Sequence, residues 1–325
     1  MLLPCNPISF SNEPFCEGDS MMRLLSVAAC VLIFLPVVSS CAAQANSAAA
    51  PPAEAQDTEA LQKATQNPVA SLISVPLQNN NNFAIGPYNR TQDVLNIQPV
   101  IPLHMTNSWN LIIRWIAPII YQPAPGTADL EVYGIEENTP AYFAAVQVQN
   151  TAGVYGFGDM MPTFFFSPSA PSKLIWGAGP VFVLPTATNK VLGQGKFSIG
   201  PSIVALVQPG HWTIGVLVNN VWSVAGDSDR SDVNQMSLQY FINYNLKKGW
   251  FLSSSPIINA NWKASDGNVW TVPFGGGVGR IHRLGPQPVN ISAQFYGNAV
   301  HPVGGSAWSM RLQIAFLYPQ KPKGK

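Results

Sequence analysis

The chain has 325 residues, of which only 10% are charged, and its formal net charge is +1. This balance leaves no basic surface for nucleic acid, so a nucleic-acid partner is excluded. Hydrophobic residues make up 47% of the sequence, yet after residue 50 no uncharged run approaches the roughly 20 apolar residues that a membrane-spanning helix needs. The apolar residues alternate with polar ones instead, which indicates strands.

The first predicted element is a secretory signal peptide over residues 21–45. Residues 24–38 form an apolar run that follows a positive charge and precedes small residues, which is the pattern of such a peptide. We therefore expect translation to begin at Met21 or Met22, with residues 1–20 a mis-assigned start. A retained membrane anchor is disfavoured because the run is short for a bilayer span.

Two cleavage sites compete in this region. One is the A-x-A sequence at residues 43–45, which we favour, and the other is a lipoprotein-like box that would leave Cys41 lipid-modified. No cysteine follows Cys41, so the mature chain has no disulfide framework and no cysteine metal site, and no cofactor is predicted. Residues 46–67 are rich in Ala, Pro, Gln and Glu, and we predict a flexible periplasmic lead or a plug.

Twelve strands are predicted from residue 69 onward. The pattern is clearest at residues 234–246, where apolar and polar residues alternate. A soluble strand is typically about 5–6 residues long, whereas a barrel strand that crosses a membrane has about 9–11. The links alternate between short and long, the longest being residues 122–152, and this rhythm is typical of outer-membrane barrels. The predicted strands are residues 69–77, 93–104, 109–121, 153–165, 174–184, 196–207, 212–223, 234–246, 250–262, 269–280, 288–298 and 307–318.

The predicted fold is all-β, a transmembrane antiparallel up-and-down barrel over residues 68–318. Both ends of the barrel lie on the short-turn, periplasmic side, with a tail at residues 319–325. The outward faces of several strands carry no charge and end in aromatic residues, such as Trp212 and Trp222, ten positions apart. Ten residues at about 3.3 Å, tilted by about 40°, rise about 25 Å, which is the height of the apolar band between aromatic girdles. A soluble sandwich explains the aromatic residue types but not this recurring separation.

Seven prolines fall inside the predicted strands. Proline removes a ladder donor and is normally confined to edges or bulges. A closed barrel has no edges, so we expect bulges or bends at these positions. They are Pro99, Pro118, Pro162, Pro180, Pro201, Pro256 and Pro273.

A specific likeness to a known family lies in the first third of the chain. It is carried by residues 64–70 (ATQNPVA), 74–80 (SVPLQNN) and 86–102 (GPYNRTQDVLNIQPVIP). These stretches resemble proteobacterial outer-membrane proteins labelled "MetA-pathway of phenol degradation" or simply "transporter", and sometimes mislabelled neuromedin U. The likeness is strongest over residues 64–125, and the strand rhythm continues to Tyr318. The resemblance implies an outer-membrane barrel of a Gram-negative bacterium, little about the substrate, and no catalytic residues.

The inward faces of the strands form the candidate site, because the lumen of such barrels is polar and sets selectivity. Twelve strands lie between filled eight-stranded barrels and open sixteen-stranded porins. The polar residues therefore either line a permeation path or pack into an internal network that plugs the lumen. We predict lumen-lining positions for Asn96, Gln98, Arg114, Asp159, Asn219, Gln239, Asn243, Asn245, Asn259, Arg280, Gln294, Arg311 and Gln313.

The predicted function is passive transport of small organic solutes, including aromatic or apolar ones, through or partly through the barrel. The expected partners are outer-membrane lipid and a small-molecule solute. One alternative is a structural or loop-binding protein that uses residues 122–152. A less favoured alternative is an outer-membrane phospholipase-like enzyme with His301 and Ser306, but no G-x-S-x-G motif accompanies them, and we predict that the protein is not an enzyme.

Overall fold

A computed structural model describes residues 52–86, 88–123, 153–170 and 172–319, with only the backbone of residues 52–57. The predicted start, the signal peptide with its two cleavage sites, the first part of the lead, most of the longest loop and nearly all of the tail lie outside the described residues. No helix in these ranges is long and apolar enough to cross a membrane.

The described chain begins with a helix and continues as strands. Helix α1 spans Pro52–Thr65, and a short 3-10 turn spans Lys247–Gly249. The strand segments are β1 (Leu72–Ile85), β2 (Arg90–Ile97), β3 (Val100–His104), β4 (Trp109–Gln122), β5 (Val154–Phe157), β6 (Met161–Pro168), β7 (Leu174–Val183), β8 (Lys196–Val207), β9 (Trp212–Gly226), β10 (Asn234–Asn245), β11 (Trp250–Ser254), β12 (Ile257–Asn261), β13 (Trp270–Leu284), β14 (Gln287–Val300) and β15 (Trp308–Pro319).

These segments close into one antiparallel barrel of twelve wall strands. Strand β1 pairs with β2 on one side and with β15 on the other, so the sheet has no free edge. Three wall strands consist of two segments each, namely β2 with β3, β5 with β6, and β11 with β12. Closure pairs the backbone polar groups internally, which a bilayer requires of any spanning sheet. The predicted fold class and strand number are confirmed.

The first strand is the main correction to the predicted boundaries. It was expected to end at residue 77, but β1 continues to Ile85 through the four asparagines at residues 79–82, a residue type that is depleted in strands. Their backbones pair with β2 on one side and β15 on the other. The link that follows is therefore only residues 86–89, and the prediction of a long link at this point is wrong.

The prolines divide into two groups. Pro99 separates β2 from β3, Pro256 separates β11 from β12, and Pro273 lies beside a shift in the register of β13 with β14. At three other positions the expected bulge is not found, because the strand pairing continues through them without a register shift. A residue in an antiparallel strand offers its N–H to one neighbour only, so a proline there removes a single bond of the ladder. These positions are Pro162, Pro180 and Pro201. At Pro118 a bulge is found, because the register of β4 shifts by one residue between the pair Ile116–Met161 in β6 and the pair Ile119–Phe157 in β5.

Aromatic rings cover the outer surface at both ends of the barrel. At the short-turn end, the ring of Trp109 lies edge-on to that of Trp176, with the centroids 5.9 Å apart. At the long-loop end, Trp262 lies edge-on to Trp270 at 5.3 Å. The outward side chains between these rings are largely apolar, including Ile203, Val216 and Leu252 at the positions exposed to the surroundings. This is the surface of a membrane-spanning barrel.

Candidate functional site

An apolar layer fills the lumen at the short-turn end. Its members face inward from several strands and are almost fully buried, Ile112 and Phe165 completely so. Val69, which precedes β1 in the chain, packs in this layer. The wall residues of the layer are Ile112, Phe165, Val204, Leu206, Leu217 and Phe241.

The chain before β1 enters this end of the barrel. We call residues 58–70, the second half of α1 and the link to β1, the inserted segment. Leu61, Ala64 and Ala70 pack against a second apolar cluster that contains Phe251 and Ile281 from the wall. The inserted segment therefore shares its buried surface with strands that lie far from it in sequence.

Local sequence explains why the inserted segment starts as a helix. Pro52 opens α1, a position where its missing N–H removes no helical bond, and the following residues are mostly good helix formers. Glu59 and Lys63 form an i,i+4 ion pair at 3.2 Å, which supports the helix modestly. Pro68 follows shortly after the last helical residue and prevents the helix from continuing.

Polar contacts fix the inserted segment to the wall. Gln62 is 2% exposed, and its Nε2 donates to the backbone oxygen of Trp250 at 2.9 Å. The side-chain amides of Gln66 and Asn245 bond to each other in both directions, at 2.8 and 3.2 Å. Asn245, predicted to line the lumen, thus faces inward and contacts the inserted segment.

Above the apolar layer, Arg311 organises a buried polar network. Its Nε donates to Oδ1 of Asn80 at 3.0 Å, and its Nη1 donates to the backbone oxygen of Ser255 at 2.9 Å. Its guanidinium carbon lies 5.2 Å from the centre of the Tyr296 ring. The carbonyl of Ser255 lies in the gap between β11 and β12 at Pro256, so the interrupted ladder leaves this oxygen for side chains in the lumen.

Gln294 extends the same network along β14. Its Nε2 donates to the hydroxyl of Ser253 at 3.2 Å, while its Oε1 accepts hydrogen bonds from the hydroxyls of Ser255 and Tyr296. Nε2 of Gln239 donates to the backbone oxygen of Ser255 at 3.3 Å. These bonds join inward side chains from neighbouring strands and hold this side of the lumen in a defined arrangement.

Arg114 also faces the lumen but is bonded far less. Its Nη2 donates to Oε1 of Gln98 at 2.9 Å. The ion pairs among the described residues join Lys63 to Glu59 and, at the long-loop end, Lys196 to Asp232. Within the described chain, neither luminal arginine has a carboxylate partner.

A cavity of about 200 Å³ lies between the inserted segment and the polar network. Residues 64–68 of the inserted segment form part of its boundary, and apolar side chains such as Leu217, Phe241 and Phe251 form another part. The remaining wall is mostly polar. Six of the predicted lumen residues are brought together here, namely Gln98, Arg114, Gln239, Asn243, Gln294 and Gln313.

Two further cavities open toward the long-loop end. One, of about 320 Å³, is lined by Asp159 and Asn219, and the other, of about 540 Å³, by Asn259. The carboxylate of Asp159 accepts bonds from the backbone N–H groups of Ala187 at 3.1 Å and Gln194 at 2.6 Å. Asp159 therefore anchors the loop between β7 and β8 over the barrel.

Two of the predicted lumen residues, Asn96 and Arg280, line none of the three cavities described above. Asn96 is the Cα partner of Gln78, which lines the central cavity, so Asn96 faces the lumen without lining a described cavity. Arg280 lies on the outer face, because its neighbour Ile281 is buried in the inner apolar cluster and side chains alternate along a strand. Its guanidinium carbon is 5.1 Å from the ring centre of the outward-facing Trp250. The inward placement of Arg280 is thus corrected.

Sequence reasoning missed two members of the network. Asn80 was assigned to a loop with its asparagine neighbours. Tyr296 has the same parity as Gln294 and is 3% exposed, so alternation along β14 was a signal that could have found it. No comparable signal marks Asn80, because its role depends on the pairing of β1 with β15.

The side chains considered for an enzyme bond to the backbone. Nδ1 of His301 lies 2.9 Å from the oxygen of Pro302. The hydroxyl of Ser306 has two backbone acceptors for its one proton, the carbonyls of Phe83 at 2.9 Å and Trp308 at 2.8 Å. In the part of the chain that the structure describes, no group of three or more His, Cys, Asp or Glu side chains is placed to hold a metal ion.

Comparison with known proteins identifies the class of fold. No protein-family model and no curated protein matches the sequence. Among solved structures, the chain is similar to the COG4313 outer membrane channel from Pseudomonas putida F1, with a TM-score of 0.56 and 13% identity over 76% of this chain and 94% of that one. It also matches the NanC porin, with a TM-score of 0.45 and 7% identity over 76% of this chain and all (100%) of that one. The first likeness shows that this chain has the fold of an outer-membrane channel.

Proposed function

We propose that this protein resides in the outer membrane of a Gram-negative bacterium and allows passive transport of small organic solutes, including aromatic or apolar ones. The observation that carries the proposal is the central cavity, which is enclosed by the barrel wall and combines amide donors with apolar side chains. Such a mixture of polar and apolar surfaces accepts small organic molecules. The resemblance to the MetA-pathway family agrees with this proposal.

The short-turn end faces the periplasm in this proposal, after removal of the signal peptide over residues 21–45. The inserted segment then acts as a plug that must shift before solute passes. Its polar contacts are compatible with a reversible plug, because the Gln66–Asn245 amide pair and the Gln62 bond to Trp250 each contribute only about 0.5–1.5 kcal/mol to stability. The predicted lead spans residues 46–67, and the plug comprises the end of this lead and the link to β1.

Liposome swelling tests the proposed transport. Vesicles containing the purified protein are placed in solutions of small neutral organic solutes, and their rate of swelling is compared with that of protein-free vesicles. A variant that lacks residues 46–67 serves as the opened form. Swelling above the protein-free rate in either form supports transport, and swelling at the protein-free rate in both forms rejects it.

A structural or loop-binding role is the second candidate. The Arg311 network occupies part of the lumen, with bonds to β1 and to the gap between β11 and β12, and a lumen that is filled permanently would offer no path to a solute. This role predicts that removal of residues 46–67 leaves the liposomes impermeable. The phospholipase-like enzyme is disfavoured, because His301 and Ser306 each bond to backbone oxygens.

A further inference from the structure

The lumen holds two arginines whose charge is not neutralised within the described chain. Arg311 is 9% exposed and bonds to neutral oxygen atoms of Asn80 and Ser255. Arg114 bonds to the neutral amide of Gln98. Burying an unpaired charge is unfavourable, and two like charges facing one lumen add repulsion. An anion placed between the inserted segment and these groups would relieve both effects.

Arg114 has the free donors that such an anion needs. A guanidinium group carries five N–H donors in a planar fork that suits a carboxylate. Among the described residues, Arg114 uses one nitrogen, Nη2, for its bond to Gln98. The side chain lines the central cavity, so its remaining donors are available to a molecule held there.

The rest of the cavity wall indicates what kind of group would lie next to the anionic group of the ligand. Gln313 and Asn243 add amide donors, while Leu217, Phe241 and Phe251 form an apolar surface beside the inserted segment. Its volume of about 200 Å³ is several times the roughly 30 Å³ that one water molecule occupies. The wall therefore suits a molecule with one anionic group and a small apolar or aromatic body.

We propose that the central cavity is a binding site for a small organic monocarboxylate, with the carboxylate on Arg114 and the apolar body against Phe241 and Phe251. Arg311 contributes a second positive charge from its fixed position in the network. The proposal deepens the proposed function and rests on it for its role in transport. It narrows the class of solute from small organic molecules to small organic anions.

The test compares sodium benzoate with its neutral analogue benzamide. Thermal unfolding of the full barrel in detergent micelles is followed with each probe at increasing concentration. Benzoate is expected to raise the unfolding temperature in a saturable way, with an affinity at least tenfold higher than that of benzamide. Equal effects of the two probes, or no effect of benzoate, would overturn the proposal.

Variants locate the binding. Arg114→Gln is expected to weaken benzoate binding at least tenfold, whereas Arg280→Gln removes the same charge from the outer face and should leave binding unchanged. Gln313→Glu places a carboxylate in the same cavity and should also abolish binding, so it tests the site if Arg114→Gln does not fold. Unchanged benzoate affinity in a folded Arg114→Gln or Gln313→Glu barrel would refute the assignment.

Flux measurements separate this inference from the proposed function. If liposomes swell with neutral solutes while benzoate neither binds nor permeates, the anion site is rejected and the transport function remains. If benzoate binds at the Arg114 site but no solute of either kind permeates, the anion site is supported and the transport function is rejected.

Discussion

Placing an arginine at Val216 tests the orientation and depth of the wall. Val216 faces outward, where it is 37% exposed, and it lies four residues from Trp212 and six from Trp222 in β9. At a rise of about 2.5 Å per residue for a strand tilted by about 40°, it lies about 10 Å above the Trp212 girdle and close to the middle of a band of about 25 Å. The change Val216→Arg should therefore reduce the free energy of unfolding by about 2–4 kcal/mol.

Two control variants separate depth from orientation. Ile242 also faces outward but pairs with Ile214, next to the Trp212 girdle, so Ile242→Arg should cost only about 0–1 kcal/mol. Asn219 faces the lumen and lines a cavity there, so Asn219→Arg should cost less than Val216→Arg. Unfolding of each variant by urea in phospholipid vesicles, followed by tryptophan fluorescence, gives the three free energies. A cost at Ile242 or Asn219 equal to or above that at Val216 would refute the assigned faces and depth.

Two further predictions concern the inserted segment and the wall against which it packs. Gln66→Ala leaves Asn245 without its amide partner, so we expect the free energy of unfolding to fall by about 1–3 kcal/mol. We also expect a protease to cut the chain before β1 faster than in the wild type. Equal cleavage rates in variant and wild type would contradict this prediction. Gly279→Ala places a Cβ against Cζ of the buried Phe251, too close for an ordinary contact, and the resulting shift should cost about 1–3 kcal/mol in the same urea assay. Gly210→Ala, where a Cβ meets no atom within 4 Å, should cost less despite its positive φ. Equal costs at both glycines would refute crowding at Gly279.

The twelve strands could be predicted because successive side chains of a strand point alternately to the outer surface and to the lumen, and these two surroundings favour different residue types. In β10, Phe241 and Asn243 are buried while Ile242 is exposed, and this alternation is visible in the sequence. The four consecutive asparagines of β1 do not show this alternation of polar and apolar residues. Only their pairing with β2 and β15 shows that they belong to the wall. Strand pairing over more than two hundred residues of sequence leaves no local signal.

The candidate site was predictable in its parts but not in its arrangement. Most inward residues were found by parity, yet Arg280 was placed among them although it shares the parity of Trp270 and Val278, which are exposed on the outer face. Its position over Trp250 lets a long side chain keep its charge near the girdle. The contacts of the inserted segment could not be predicted, because its residues meet single side chains from several strands.

The measurement that tests transport most directly is the conductance of the purified barrel in a planar lipid bilayer. The full protein is compared with a variant that lacks residues 46–67, which removes α1 and the start of the link to β1. We expect steady channels in the shortened barrel and rarer openings in the full protein. Silence in both forms, together with unchanged solute permeability when the gene is removed from cells, would contradict a role as a channel.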